Sequence, residues 1–310
     1  MKNIPFRLLY ACWHLLSLLP MWVHYGISDA LYVLVRYVVR YRQKTIRRNL
    51  AASFPDKTEA ELRAVERGFY HFFCDYLVES IKLMTIQEGN LRRRMLFKGT
   101  EQVAACIERG QSCIIYLGHY CNWEWVTTLP LWVPAEAQCG QIYRPLENAT
   151  FDQLYISLRQ RFGSVCISMR DTLRRIVDYR RKGQPTIIGF ISDQNPHWVN
   201  MHHWRTFLNH PDTPVFTGTE RIARQTGAAV FYLDMQRIRR GYYKGELRLL
   251  TDHPSDMPEH AITDQYFDLL EASIRRAPQY WLWSHNRWKR TREEFDRRFE
   301  VVDGKIRERS

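Results

Sequence analysis

The stretch Ser112-Cys-Ile-Ile-Tyr-Leu-Gly-His-Tyr-Cys-Asn-Trp-Glu-Trp-Val-Thr-Thr128 decides how the chain is read. Ser112–Leu117 is a short apolar run of β-branched and aromatic residues, and Gly118 closes it, which predicts a buried strand broken at its carboxyl end. Asn122 suits a helix N-cap, and the apolar residues after it continue to Leu131 as a predicted helix. His119 and Glu124 then stand at a strand–loop–helix junction, where α/β sheets gather reactive groups. Five residues apart, they would sit about 140° apart on one helix. They converge only if His119 is on the loop and Glu124 in the first helical turn.

Working outward, short apolar runs alternate with amphipathic stretches after Lys98. The strands expected are Ser112–Leu117, Gln138–Tyr143, Ser164–Ser168, Thr186–Ile191, Ala228–Gln236 and Tyr242–Leu249. Helices are expected near Glu101–Arg109, Asn148–Phe162, Asp171–Lys182, Gly218–Thr226 and Glu259–Arg276. This alternation predicts an α/β fold, a mixed and mostly parallel sheet covered by helices. Four segments follow: 1–48 as a membrane-associated helical segment, 49–97 as helices packing on the catalytic domain, 98–292 as the α/β domain, and 293–310 as a charged tail expected to fray.

The amino terminus holds 21 residues, Leu8–Ser28, without Asp, Glu, Lys or Arg. That is long enough to cross a bilayer as a helix, and Pro20 is expected to kink it. Arg36, Arg40, Arg42, Lys44, Arg47 and Arg48 follow it, against Lys2 and Arg7 before it, so the positive-inside rule puts the bulk of the chain in the cytoplasm. A span, an interfacial segment and a buried hairpin are all compatible with this composition. Leu31–Arg48 continues as a helix in which aromatics and cations interleave. In Glu59–Met84, predicted as one helix, the stripe Leu62, Val65, Phe69, Phe72, Phe73, Tyr76 and Leu77 reads as core.

The chain carries 45 Lys and Arg against 33 Asp and Glu, a formal charge of +12, which favours anionic lipid, phosphate-bearing substrates or an acidic carrier protein over neutral partners. A basic nucleic-acid-binding protein would share that charge, but the uncharged amino terminus counts against it. Seven dispersed cysteines without a C-x-x-C pair argue against a disulfide framework and a structural zinc site, and for a reducing compartment.

A histidine can remove a proton from a hydroxyl, and a carboxylate can fix its tautomer and stabilise the imidazolium. His119 with Glu124 is therefore the leading catalytic pair. Arg144 follows the second strand on the same sheet edge, with Arg159, Arg161 and Arg170 soon after, and guanidiniums suit phosphate or carboxylate capture. Asp193, closing Thr186–Ile191, could bind a polar head group, orient an arginine or cap its loop. His197, His202, His203 and His210 lack acidic or cysteine companions at ligand spacing, so no metal is expected. Cys121 has no activating cation beside it and is read as packing rather than as a nucleophile. The segment Pro278-Gln-Tyr-Trp-Leu-Trp-Ser-His-Asn-Arg-Trp-Lys-Arg290 interleaves aromatics and cations.

Gly118-His119-x4-Glu124, Tyr143-Arg144-Pro145, Ser192-Asp193-Gln194 and the Pro278–Lys289 segment resemble, in order and spacing, the late acyltransferases of lipid A biosynthesis, the lauroyl and myristoyl transferases of the lysophospholipid acyltransferase superfamily. Arg48-Asn49-Leu50 and Phe54-Pro55 extend the resemblance toward the amino terminus. It implies a His119–Glu124 catalytic dyad, and substrate-binding roles for Arg144, Asp193, Arg159 and Arg161. It also implies an enzyme at the cell inner membrane facing the cytoplasm. Such an enzyme moves a fatty acyl chain from a thioester of acyl carrier protein or coenzyme A to a hydroxyl of a lipid A precursor, without a further cofactor. Backbone N–H groups after Asn122, or an arginine, would receive the oxyanion. The stretch between Gln194 and Gly218, rich in His, Trp and Pro, departs from the family pattern. It leaves a glycerophospholipid, an ornithine lipid or a glycosyl-lipid open as the acceptor.

Overall fold

The computed structural model describes residues 4–302 and 304–309. At its centre is a seven-stranded sheet. In chain order its strands are β1 (Met95–Lys98), β2 (Cys113–Leu117), β3 (Gln138–Tyr143), β4 (Val165–Ser168), β5 (Thr186–Ile191), β8 (Ala229–Arg239) and β9 (Tyr242–Thr251). Across the sheet they run β1-β9-β8-β2-β5-β3-β4. Strands β8, β2, β5, β3 and β4 are parallel, while β9 runs antiparallel to β8 and brings β1 with it. The mixed, mostly parallel sheet is the one the alternation predicts.

Every residue of β2 is buried, because the strand is flanked by β5 and β8 and covered on both faces, which is why it reads as a continuous apolar run. Its register with β5 pairs Leu117 with Ile191. The chain positions two residues beyond each strand, 119 and 193, therefore emerge side by side at the carboxyl edge.

Helices α6 (Thr100–Glu108), α7 (Ala149–Gln160), α8 (Thr172–Arg181), α9 (Gly218–Thr226) and α10 (Ala261–Arg276) cover the sheet close to the expected positions. Tyr266, Phe267, Leu270 and Ile274 of α10 are buried in the main core, each contributing roughly 1.5–3 kcal/mol by its burial. After Asn122 the expected α-helix does not form. Trp125–Leu131 is instead a 3₁₀ helix containing Pro130, and Glu124 stands just ahead of it. Proline removes a helical donor and clashes with the preceding turn, so the segment winds tightly and stops.

At the amino terminus, α1 (Ile4–Leu18) and α2 (Met21–Val33) meet at Pro20 with a bend of 113°. No single described helix is long and apolar enough to cross a membrane. Instead of one helix over Leu31–Arg48, a π-helical turn, Leu34–Val38, leads to Arg40 and Arg42 in left-handed conformation, and α3 (Gln43–Ser53) starts afresh. The 24-residue α4 (Glu59–Lys82) is fixed at its start by a capping box between Thr58 and Glu61. It anchors the amino-terminal helices through a buried polar network. Asp75 binds Ser28, Arg237 and Arg240, while Glu79 accepts from Tyr25, Asn122 and Tyr243. The short α5 (Glu88–Arg94) then leads into β1.

The tail does not fray. In α11 (Arg292–Arg298) and the hairpin of β10 (Phe299–Val302) with β11 (Lys305–Glu308), Phe295, Phe299 and Ile306 close a small core with Trp198 and Met201. Three apolar side chains among the tail's charges are enough to fold it. The segment after Gln194 also gains structure, as a hairpin of β6 (His203–Phe207) and β7 (His210–Val215).

Candidate active site

At the carboxyl ends of β2 and β5 the side chains of His119 and Asp193 meet. Asp193 Oδ1 lies 2.6 Å from His119 Nδ1, and its Oδ2 accepts from the His119 backbone N–H at 2.9 Å and from Trp281 Nε1 at 2.8 Å. Burial by itself would raise the Asp193 carboxyl, but the facing His119 and these three donors outweigh it and hold it down at about 2. An ionised acceptor on Nδ1 selects the Nδ1–H tautomer and leaves the Nε2 lone pair outward. Nε2 is 3.3 Å from the Gln194 side-chain amide nitrogen, which then donates to it. The His119 side chain keeps 19% of its surface while Asp193 keeps 2%: the ring is reachable and its partner is not. Gly118 permits this approach, since a Cβ there would meet Leu270 Cδ1 at 2.7 Å and Asp193 Oδ2 at 3.3 Å.

The acid on the imidazole is thus Asp193, where Glu124 was expected. No hydrogen bond joins His119 to Glu124 among the described residues. Glu124 is buried against Arg159, with Nε–Oε2 at 2.8 Å and Nη2–Oε1 at 2.6 Å, and accepts from Tyr76 at 3.3 Å. Burial opposes its ionisation, but the Arg159 charge and its two bonds prevail and keep the carboxyl below its ordinary value. The 3₁₀ geometry explains the separation, because Glu124 precedes the helix and turns toward α7, which carries Arg159. Trp123 bridges the two pairs, edge-on to the His119 ring at 5.2 Å and against Tyr76 at 4.2 Å.

The other arginines divide. Arg161 donates to the carbonyls of Leu83 and Ile86, holding the end of α4 rather than joining the His119 cluster. Arg144 is exposed beyond β3 and forms a cation cluster with Lys289 and Arg290 of the aromatic–cation segment and Arg42 of the amino-terminal basic run. Burial, then the charges of Arg290, Arg144 and Arg42, hold the Lys289 ammonium below its usual value. Arg290 donates to Asn195 Oδ1 and Pro196 O, and Arg42 to Ser284 O. The carboxyl-terminal Trp-rich segment therefore lines the site. Asn49 fastens it by donating to the carbonyls of Trp283 and His285, and Tyr120 bridges to Trp281.

Arg287, also absent from the expected set, is fully buried and donates from Nη2 to Pro214 O at 2.6 Å, while its Nε and Nη1 have no partner. Burial lowers its pKa to about 10 against the pull of the Asp193 charge. The two charges thus lie within electrostatic reach of each other. His285, half-buried and held neutral with its pKa lowered by burial to about 4, accepts from the Asn195 N–H. Cys121 is buried and its thiol is pushed far up by burial, so it supplies no thiolate. Among the histidines of the β6–β7 region, His203 binds Asp264 and stacks on His260, and His210 stacks on Trp288. No group of three His, Cys, Asp or Glu among the described residues is disposed to hold a metal.

An oriented imidazole at the carboxyl edge of a sheet is suited to deprotonating a hydroxyl. Residues 4–290 match the family model described as bacterial lipid A biosynthesis acyltransferase. The chain is 22% identical over 286 residues to a lipid A biosynthesis palmitoleoyltransferase of Escherichia coli (strain K12), covering 89% of this chain and 90% of the relative. The same figures hold for a lipid A biosynthesis acyltransferase of Shigella flexneri. The chain belongs to the bacterial lipid A biosynthesis acyltransferase family.

Proposed function

We propose that this member of the family transfers a fatty acyl chain from an acyl thioester, carried by acyl carrier protein, to a hydroxyl of a lipid A precursor at the cytoplasmic face of the inner membrane. The observation that carries the reading is the His119–Asp193 pair, with a single outward nitrogen in reach of solvent. In this mechanism the acceptor hydroxyl displaces the Gln194 amide and gives its proton to His119 Nε2. Its oxygen bonds to the thioester carbonyl carbon. Asp193 balances the imidazolium charge. As the tetrahedral intermediate collapses the C–S bond breaks, and the imidazolium returns the proton to the departing thiolate. Backbone N–H groups of the loop after His119 are the candidate oxyanion donors.

Glu124 serves in this reading as a positioning residue, fixing Arg159 and, through Tyr76 and Trp123, the wall beside the imidazole. Arg144, Lys289, Arg290 and Arg42 provide the positive field for acceptor phosphates and for the acidic carrier. The apolar amino-terminal helices, with Leu15 at 65% and Trp22 at 75% exposure, would hold the enzyme at the bilayer, where its acceptor resides.

The test is mass spectrometry of the lipids of a strain lacking this gene, complemented with wild type or His119→Ala. Loss of one acyl chain from lipid A, restored by wild type and not by the folded variant, is the expected result. Unchanged lipid A beside altered glycerophospholipid or ornithine lipid would move the acceptor. Full restoration by His119→Ala would remove the general base.

A further inference from the structure

At the bend between α1 and α2 the chain leaves backbone carbonyls that no helix satisfies, and Lys82 at the end of α4 and Thr85 just beyond it supply the donors. Lys82 Nζ donates to Ser17 O and Leu19 O, both at 2.8 Å, and Thr85 Oγ1 to Ser17 O at 2.5 Å. Beneath this joint opens a cleft of about 430 Å³ with two unlike walls. One wall is apolar, with Leu18 and Met21 at the ends of the two helices. The other is polar, with Lys82, Gln87, Asn90 and Arg94.

The polar wall carries two cations and no acid. Neither Lys82 nor Arg94 has a carboxylate within ion-pair distance among the described residues. Burial, and after it the charge of Arg94, holds Lys82 below its ordinary pKa, so the two cations repel each other across the cleft. Arg94 spends one nitrogen on Gly241 O at 3.3 Å and retains other donors. A single anion between them would relieve the repulsion and gain charge-assisted hydrogen bonds. The volume falls in the range that holds a small polar ligand. The apolar wall continues over the exposed Leu18 and Trp22, and a free anion has no use for such a surface.

We infer that this cleft binds the phosphate of a glycerophospholipid of the surrounding bilayer, with the acyl chains laid along the exposed apolar side of α1 and α2. This rests on the membrane reading given above. The site is distinct from the one proposed for acyl transfer, as none of its lining residues belongs to the His119 or Lys289 clusters. It serves as an anchor that fixes the bent helix pair at the bilayer surface.

The test uses the full chain in non-ionic detergent, with native mass spectrometry reading retained phosphatidylglycerol for wild type, Arg94→Gln and Arg93→Gln. The last variant removes the same charge from an exposed position on the same helix. Wild type and R93Q are expected to retain one lipid, while R94Q binds it roughly tenfold more weakly. Equal retention by all, or equal loss in both variants, overturns the site. If inorganic phosphate binds in an Arg94-dependent way and the lipid does not, the cleft takes a soluble anion and the lipid assignment falls. Should R94Q fail to fold, Asn90→Asp makes the same test by bringing a carboxylate to the polar wall. Sedimentation with phosphatidylcholine vesicles separates the two readings. A chain that retains lipid through Arg94 but does not sediment keeps the cleft and loses the membrane reading. One that sediments without Arg94-dependent retention keeps the membrane reading and loses the cleft.

Discussion

His119 Nδ1 lies 2.6 Å from Oδ1 of Asp193, a residue 74 positions away, while Glu124, five positions away, gives both its oxygens to Arg159. Asp193→Asn, which keeps the shape but loses the ionised acceptor, should lower kcat by roughly 10²- to 10⁴-fold with little change in KM. Steady-state kinetics on purified protein measure this. A kcat near wild type, or a smaller loss than that of Glu124→Gln, would return the orienting role to Glu124.

The Glu124–Arg159 pair makes a stability prediction. Glu124 is 3% exposed and Arg159 21%, so removing either partner strands a largely buried charge. Glu124→Gln and Arg159→Met should each cost about 3–5 kcal/mol, with the Glu124 variant at the lower end because water reaches the Arg159 side chain it leaves unpaired. Urea denaturation of the double variant should show a loss well below the sum of the two. Additive losses would mean the pair is not coupled.

Two buried acids predict opposite pH trends. Asp193 is held down at about 2, below its unfolded value of about 3.9. Its contribution, roughly 2–3 kcal/mol, is fully present above pH ~4 and is lost as pH falls through the folded value. For Glu79, burial first, with Asp75 adding, raises the carboxyl to about 7 despite the donors from Tyr243 and Asn122. The folded state then binds the extra proton, and stability should fall by roughly 3 kcal/mol as pH rises from about 4.3 to neutrality. Melting curves against pH check both. Glu79→Gln should flatten the neutral-side decline, and Asp193→Asn should narrow its gap from wild type only below pH ~4. A Glu79→Gln profile parallel to wild type would contradict the raised carboxyl.

The cluster of Arg42, Arg144, Lys289 and Arg290 predicts a salt dependence. Rates at limiting substrate should fall with ionic strength, since exposed charges are screened over about 8–10 Å. Lys289→Gln or Arg144→Gln should raise KM about five- to tenfold with kcat nearly unchanged, and should weaken the salt dependence. Titrating acceptor and carrier separately identifies which one the cluster holds. Unchanged KM values for both would leave the cluster without a substrate role.

Much of this was legible in the chain itself. The β3 and β5 boundaries, Gln138–Tyr143 and Thr186–Ile191, and helix Gly218–Thr226 coincide with the expectation, because buried strands and amphipathic helices stamp their periodicity on local sequence. The kink at Pro20 follows from one residue's chemistry. Strand β1 escaped notice because four residues beside an Arg-rich helix carry no period. The tail and the β6–β7 hairpin escaped because their apolar residues acquire meaning only against Trp198, Phe267 and Trp281.

Sequence by itself determined that His119 follows a buried strand and that cations accompany it, since both depend on neighbours along the chain. Only the tertiary structure decided which acid holds His119. That choice depends on β5 lying in register beside β2, with Leu117 opposite Ile191, and on a proline-bearing 3₁₀ turn that directs Glu124 toward Arg159. Hydrogen bonds act over about 3 Å, and residues 74 positions apart reach that distance only when a sheet has set the order of its strands.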